Sequence, residues 1–436
     1  MLRYQRYICL GFIGLFFSCR SIQPGSYEYI HKQLDESEIF AQNFTGFSLY
    51  DPGSKKFIID HNGEKYFTPA SNTKLFTFYA GLKVLGDSVP ALKYVLRNDS
   101  LLFWGTGDPS FLHPDHSQQW AFKFLKNRTE QLFLYQDHFA TEHFGPGWAW
   151  DDYNEYYSVE KAPFPIYGNM VRFFLNDQGR PPKMSPDYFN LLTRESKEAA
   201  DDYPVKRGLG DNLFMYQAQE LDGNIIKDVP FRYSNKLFIE LLSDTLGQEV
   251  QLVDQLPDEE PITVYGLPVD SLYKVMLQDS DNFIAEQIIL LCSSQKFNLL
   301  SSELTIDYVK ENFLSDLPDD PIWVDGSGLS RYNLFTPRTM IRLLEKIYQE
   351  VPEDRLFALL PTGGENGTIK NWYKNDQPYI YAKTGSLNNN HALSGYLITK
   401  KGQRLIFSFM NNNFITEPAE IKEEMQRMLY DIHQNY

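Results

Sequence analysis

Ser71-Asn72-Thr73-Lys74 sets a hydroxyl and an amine three residues apart, at the start of a run whose apolar positions (Leu75, Phe78, Tyr79, Leu82, Leu85) recur at helical spacing before Gly86. Residues i and i+3 are neighbours on a helix surface, so this spacing brings Lys74 to the Ser71 hydroxyl. A serine hydroxyl acts as a nucleophile only when a base takes its proton, and a lysine serves once burial and a second cation disfavour its ammonium. Ser71 follows Thr68-Pro69-Ala70, which puts it at the positive end of the helix dipole. The competing use of a serine here is a plain helix N-cap. Two further S-x-x-K matches, Ser271 to Lys274 and Ser293 to Lys296, read as a mid-helix pair and a helix C-terminus.

Two more short motifs carry suitable groups. Ser280-Asp281-Asn282 lies between two helical stretches and on its own reads as a helix-start cap. Lys383-Thr384-Gly385-Ser386 closes an apolar strand, and Lys383 is a candidate for the second cation. Other chemistries lack their residues. No G-x-S-x-G elbow occurs, because Asp325 stands where the first glycine would be, and there is no H-E-x-x-H. Pro114 puts His113 and His116 on a loop rather than on a zinc-binding helix face.

The elements that must position these groups can be read from periodicity. Phe47 to Tyr50, the turn Asp51-Pro52-Gly53-Ser54 and Phe57 to Ile59 predict a β-hairpin. Strands are predicted at Tyr379 to Ala382, Leu393 to Ile398 and Leu405 to Phe409, with a turn at Lys400-Lys401-Gly402. A closing helix from about Ala419 to His433 puts Ile421, Met425, Met428, Leu429 and Ile432 on one face. Residues 88–260 differ in texture, with short apolar runs between Gly/Pro/Asp turns, and read as a strand-rich insertion. The fold class is therefore α/β (α+β). Segments 46–87 and 261–436 form one domain, an antiparallel sheet flanked by helices, and 20–45 are a linker with a short helix.

The chain has 436 residues, 42% hydrophobic and 15% aromatic, a folding composition with bulk for more than one core. Its 41 basic and 57 acidic residues give a net charge of −16, which excludes a general nucleic-acid binder. Three cysteines exclude a disulfide scaffold, and Cys292 in an apolar stretch reads as a buried small hydrophobe. Arg3 and Arg6 precede an apolar run from Tyr7 to Phe17 that ends at Ser18-Cys19, as in a secretory signal. The same run is similar to a bacterial lipobox with Phe16 in place of the usual Leu, in which case Cys19 is lipidated. Residues 1–19 are thus an export signal, plain or lipoprotein-type, and the protein is expected to be periplasmic, touching a membrane only through that anchor.

In this order, S-x-x-K, S-D-N and K-T-G form the motif set of penicillin-binding proteins and class A β-lactamases. Further runs sharpen the likeness: Gly105-Thr106-Gly107-Asp108-Pro109, Gly147-Trp148-Ala149-Trp150-Asp151-Asp152, Asp325-Gly326-Ser327-Gly328-Leu329-Ser330-Arg331 and Ala382 to Leu387. From about Gly46 to the C-terminus the chain resembles the low-molecular-mass class C penicillin-binding proteins, the penicillin-binding protein 4 type D-alanyl-D-alanine carboxypeptidase/endopeptidase family. The family interrupts a transpeptidase-like domain after the S-x-x-K helix, and here more than 200 residues separate Lys74 from Ser280. The E-x-x-L-N deacylation motif of class A β-lactamases is missing between Phe283 and Ala382.

The resemblance implies a serine D-Ala-D-Ala carboxypeptidase acting on peptidoglycan stem peptides, with endopeptidase action on cross-links as a companion activity, β-lactams as covalent inhibitors and no cofactor. It implies that Ser71 attacks, Lys74 is the base, Ser280 relays the proton to the leaving amine, Asn282 holds the substrate amide and Lys74, and Lys383 supplies positive potential. Thr384 would take the terminal carboxylate, in the Gly385-Ser386 strand segment that also lines the site, and the Ser71 and Ser386 N–H groups would form the oxyanion hole. Asp152 (or its neighbour Asp151), Ser327, Gly328, Arg331 and Leu387 match positions lining the stem-peptide side-chain pocket of relatives. The alternative is a catalytically retired relative that binds peptidoglycan or a partner.

Overall fold

The hairpin strands Phe44–Asp51 and Lys56–His61 join three C-terminal strands in one antiparallel sheet. Its order is Ile380–Leu387, Asn390–Ile398, Arg404–Asn412, Phe44–Asp51, Lys56–His61. This is a computed structural model, describing residues 26–175, 181–196, 204–217, 224–256 and 258–436. The export signal and Cys19 lie outside the described residues.

Both faces of this sheet are apolar, and the two-residue period of the strands assigns them to different layers. Leu393, Leu397, Leu405, Phe407 and Phe409 pack with Ile421, Met425 and Met428 of the closing helix Pro418–Asn435 and with Ile30 and Leu34 of the helix Tyr27–Glu36. Their strand neighbours Ala392, Tyr396, Ile406 and Met410 pack on the other side. There they meet the helices Lys74–Val84, Asn282–Lys296 and Pro337–Glu350. Helices on both faces bury the hydrophobic surface of every central strand.

Between Val84 and Val269 the chain builds a second core of its own, from Ala91 to Val250. It centres on a five-stranded sheet ordered Val250–Val253, Gln131–Tyr135, Ser100–Gly105, Ser88–Arg97, Ile262–Pro268, with two three-stranded sheets beside it. The outgoing strand Ser88–Arg97 pairs antiparallel with the returning strand Ile262–Pro268, and Val269 N–H donates to Asp87 O at 3.0 Å. The chain thus leaves and re-enters the catalytic layer at one point, and the returning strand belongs to the excursion's sheet. Its Gly105-Thr106-Gly107 run packs on the Asn282–Lys296 helix. Gln287 Nε2 donates to Gly107 O at 2.7 Å, and a Cβ on Gly107 would lie 2.9 Å from Leu290 Cβ. Cys292 is buried on that helix, which raises its thiol pKa, as a structural cysteine requires.

Candidate active site

Residues Ala70–Thr73 form a 3₁₀ turn that runs directly into the helix starting at Lys74. Ser71 is not a cap: neither the turn nor the helix has a side-chain capping bond. Its Oγ instead lies 2.9 Å from Lys74 Nζ. The same nitrogen donates to Asn282 Oδ1 at 2.6 Å and to Ser327 O at 2.7 Å, so three acceptors surround a side chain with no exposed surface. Burial disfavours its ammonium and brings the pKa down to about 8, against the opposing pull of Asp325, Asp281 and Glu286.

The second motif divides its roles by position. Asp281, not Ser280, is the N-cap of the helix Asn282–Lys296, accepting from Ile284 N–H at 2.8 Å. Ser280 stands in a left-handed conformation at φ 63°, uncommon for a residue with a Cβ. This break turns two successive helices apart and leaves the Ser280 hydroxyl to Lys383, whose Nζ reaches it at 2.8 Å. Asn282, at the first helical position, spans two partners. Its Oδ1 takes Lys74, and its Nδ2 donates to Tyr157 O at 2.9 Å.

The edge strand Ile380–Leu387 carries the third motif. Asn72 Nδ2 donates to Lys383 O at 2.9 Å, which docks the strand against the serine turn. Gly385 permits that approach, since a Cβ there would lie 2.3 Å from Pro69 O, a backbone atom. Ala382 N–H leaves the ladder for Pro361 O at 3.0 Å. The two-residue period therefore carries the N–H groups of Thr384 and Ser386 to the same open edge, next to Ser71. Lys383 is fully buried, and its pKa falls well below the ordinary lysine value through burial and then through Lys74. The sequence pattern suggests that Lys383 depresses Lys74. In the structure burial is the larger influence on both lysines, and their two ammonium groups disfavour one another's charge, while Asp325, Asp281 and Glu286 oppose the shift at Lys74.

The loop from Asp325 to Arg331 is the floor under Lys74. Asp325 accepts from the backbone N–H groups of Gly328 (2.8 Å) and Ser330 (2.7 Å), from Asn333 Nδ2 (2.8 Å) and from Trp148 Nε1 (2.9 Å). Glu286 Oε1 accepts the Ser327 N–H at 2.8 Å. Gly328, at φ 82°, lies so close to Ala70 that a Cβ would be 1.9 Å from its carbonyl oxygen. Ser327 and Gly328 are thereby buried beside the serine turn. Arg331 is exposed and reaches Asn388 O at 3.3 Å, just past Leu387. Asp152, half-buried with its pKa raised by burial, accepts from Tyr157 OH at 3.2 Å, the residue whose carbonyl receives Asn282. The structure thus links Asp152 to the serine site through Tyr157, and Arg331 and Leu387 through the turn after the edge strand.

A cavity of about 270 Å³ opens over Ser71 and Ser280 and continues past Thr384 and Ser386. Trp372, Tyr373, His391 and Lys422 also line it, and sequence reasoning singles out none of them. It misses Asn72, Glu286 and the Tyr157 carbonyl as well. Only Asn72 had a usable signal, as a polar side chain inside the S-x-x-K turn. A buried serine–lysine pair, a second lysine held by another serine, and outward N–H groups on an adjacent strand edge are equipment for acyl transfer.

Comparison with known proteins agrees. Residues 28–432 match the D-Ala-D-Ala carboxypeptidase 3 (S13) family. A D-alanyl-D-alanine carboxypeptidase of Haemophilus influenzae is 24% identical over 88% of this chain and 90% of its own. The crystal structure of penicillin binding protein 4 from Haemophilus influenzae superposes with a TM-score of 0.71 at 20% identity, over 93% of this chain and 97% of that one. The same protein complexed with a β-lactam gives a TM-score of 0.68 over the same shares, also at 20% identity. A predatory endopeptidase of Bdellovibrio bacteriovorus, with its immunity protein, gives 0.51 at 15% identity, over 90% of this chain and 94% of that one.

Proposed function

The chain belongs to the D-Ala-D-Ala carboxypeptidase 3 (S13) family and is a serine D-Ala-D-Ala carboxypeptidase; on that premise we propose how its own residues carry the reaction. Ser71 Oγ attacks the carbonyl of the penultimate D-alanine of a peptidoglycan stem peptide while neutral Lys74 takes its proton. Charge growing on the carbonyl oxygen is met by the Ser71 and Ser386 N–H groups, which act on the transition state more than on the substrate. The proton passes through the Ser280 hydroxyl to the leaving amine, D-alanine departs, and water hydrolyses the ester on Ser71. The observation that carries this reading is the Ser71–Lys74 contact at 2.9 Å, around a lysine that burial brings within reach of neutral pH.

The two lysines have a division of labour. Among the described residues no carboxylate pairs with Lys383, and a substrate carboxylate at Thr384 supplies one. A proton thereby retained on Lys383 makes Lys74 harder to charge, so binding itself prepares the base. β-Lactams carry an equivalent carboxylate and acylate Ser71 in this reading. A cross-link also follows a D-alanine, so the same acyl-enzyme serves endopeptidase cleavage. Asp152, Ser327, Gly328, Arg331 and Leu387 receive the stem-peptide side chain, an acid and a base suiting the amine and carboxylate of a diaminopimelate. Residues 46–87 and 261–436, apart from the strand Ile262–Pro268 that pairs with the insertion's sheet, act as the catalytic unit, and 88–260 as an insertion that braces it through Trp148 and Tyr157. Residues 1–19 export the protein to the periplasm, with Cys19 as a lipid anchor. The test is incubation of the purified protein with defined muropeptides and mass spectrometry of the products. Release of D-alanine supports the reading, and intact pentapeptide with a folded enzyme refutes it.

A further inference from the structure

The cavity does not end where a D-alanine leaving group needs it to. Besides Thr384 its lining takes in Ser386, His391, Trp372 and, on the closing helix, Lys422. Lys422 is half-buried, its Nζ is 5.9 Å from the Trp372 ring centroid, and no ion pair reaches it among the described residues. His391 is buried and its Nδ1 is 2.8 Å from Ser386 Oγ. Burial, and then Lys422, lowers the histidine's pKa to about 3, so the ring is neutral and shares a hydrogen bond with the serine hydroxyl. The charge at this end of the cavity is therefore that of Lys422. In a chain of net charge −16, the lining contains no Asp or Glu among the described residues. A cavity wall of hydroxyls, aromatic rings and an unpaired ammonium fits an anion with an apolar stem.

We propose that Lys422 and Trp372 form a leaving-group subsite for an amino acid carrying a second carboxylate beyond the one taken at Thr384. The inference rests on the Ser71 reading above and extends it to the departing side of the scissile bond. The leaving amino acid's α-carboxylate sits at Thr384, its aliphatic stem lies along Trp372, and the second carboxylate meets Lys422. A D-alanine leaves this part of the cavity unfilled, whereas the amino-acid side of a cross-link extends into it and carries further carboxylates.

Acyl-D-Ala-D-Xaa peptides with D-Ala, D-Glu or D-Lys in the leaving position separate the possibilities, with kcat/KM measured for wild type, Lys422→Ala and Lys422→Glu. A charged hydrogen-bonded contact in a partly desolvated pocket predicts that wild type favours D-Glu over D-Lys by about 10-fold. Lys422→Ala should level the two, and Lys422→Glu should invert the order toward D-Lys. Fluorescent-penicillin acylation runs alongside and should differ little among the three proteins, which also reports that each is folded. Equal cleavage of D-Glu and D-Lys peptides by wild type, or an order that survives Lys422→Glu, overturns the subsite while leaving the Ser71 reading intact. Absence of both cleavage and acylation in wild type would overturn that reading and this subsite with it.

Discussion

Neutral Lys74 is the species the mechanism needs, so acylation should follow its deprotonation. With a pKa near 8, about a tenth of the enzyme has neutral Lys74 at pH 7 and about nine-tenths at pH 9. The sign follows from the base's identity: the active form lies above the pKa, so the rate rises with pH. The second-order rate of penicillin acylation should increase close to tenfold per unit between pH 5.5 and 7 and flatten above about 8.5. Because Lys383 is coupled to Lys74, the midpoint belongs to the pair. Lys74→Arg keeps a cation among the same three acceptors but cannot deprotonate, so it should lose the rising limb and at least about 10²–10⁴-fold in rate. Lys383→Arg, which keeps its charge near the substrate carboxylate, should lose less than Lys383→Ala. Stopped-flow acylation of variants whose folding is verified by thermal unfolding makes the comparison. A flat profile between pH 6 and 8, or near-normal acylation by Lys74→Arg, would remove the general-base role from Lys74.

Three further outcomes follow from single contacts. Gly385→Ala drives a Cβ against Pro69 O, so it should destabilise by about 1–3 kcal/mol in thermal unfolding and cut acylation at least ~100-fold by displacing the serine turn. Glu286→Ala strips the buried Ser327 N–H of its acceptor at a cost of about 1–3 kcal/mol, whereas Glu286→Gln keeps an acceptor and should stay close to wild type in melting temperature. Glu286→Gln also removes one of the acids holding the Lys74 pKa up, so its pH–rate limb should move to lower pH; a move to higher pH would contradict the assignment. Cys19→Ala should release the protein from membrane fractions, and unchanged membrane association would remove the anchor.

What could be read from the sequence is what is local. Ser71 and Lys74 lie within one turn, the apolar period of the helix follows at once, and the K-T-G run closes a strand with plain alternation. The hairpin, the C-terminal strands and the closing helix were legible for the same reason, each being an element with its own period. Residues that matter through distant contacts left no such mark. Glu286 meets Ser327, Asn282 meets the Tyr157 carbonyl, and Asn72 meets Lys383, each across a large stretch of sequence. The break between two helical stretches at Ser280 was legible, but not its left-handed backbone, which frees the Ser280 hydroxyl and leaves the cap to Asp281. Lys422 was not singled out, since nothing in its sequence neighbours shows that it lines the cavity over Ser71.

The central claim is that Ser71 carries the acyl group, and the most direct measurement is peptide mapping of the covalent adduct. Purified protein is treated with a fluorescent penicillin, its intact mass is recorded, and the modified peptide is sequenced by tandem mass spectrometry. One adduct per chain on Ser71 is expected, lost in Ser71→Ala and retained in Ser271→Ala and Ser293→Ala. An adduct on another residue, or undiminished labelling of a folded Ser71→Ala protein, would contradict the account.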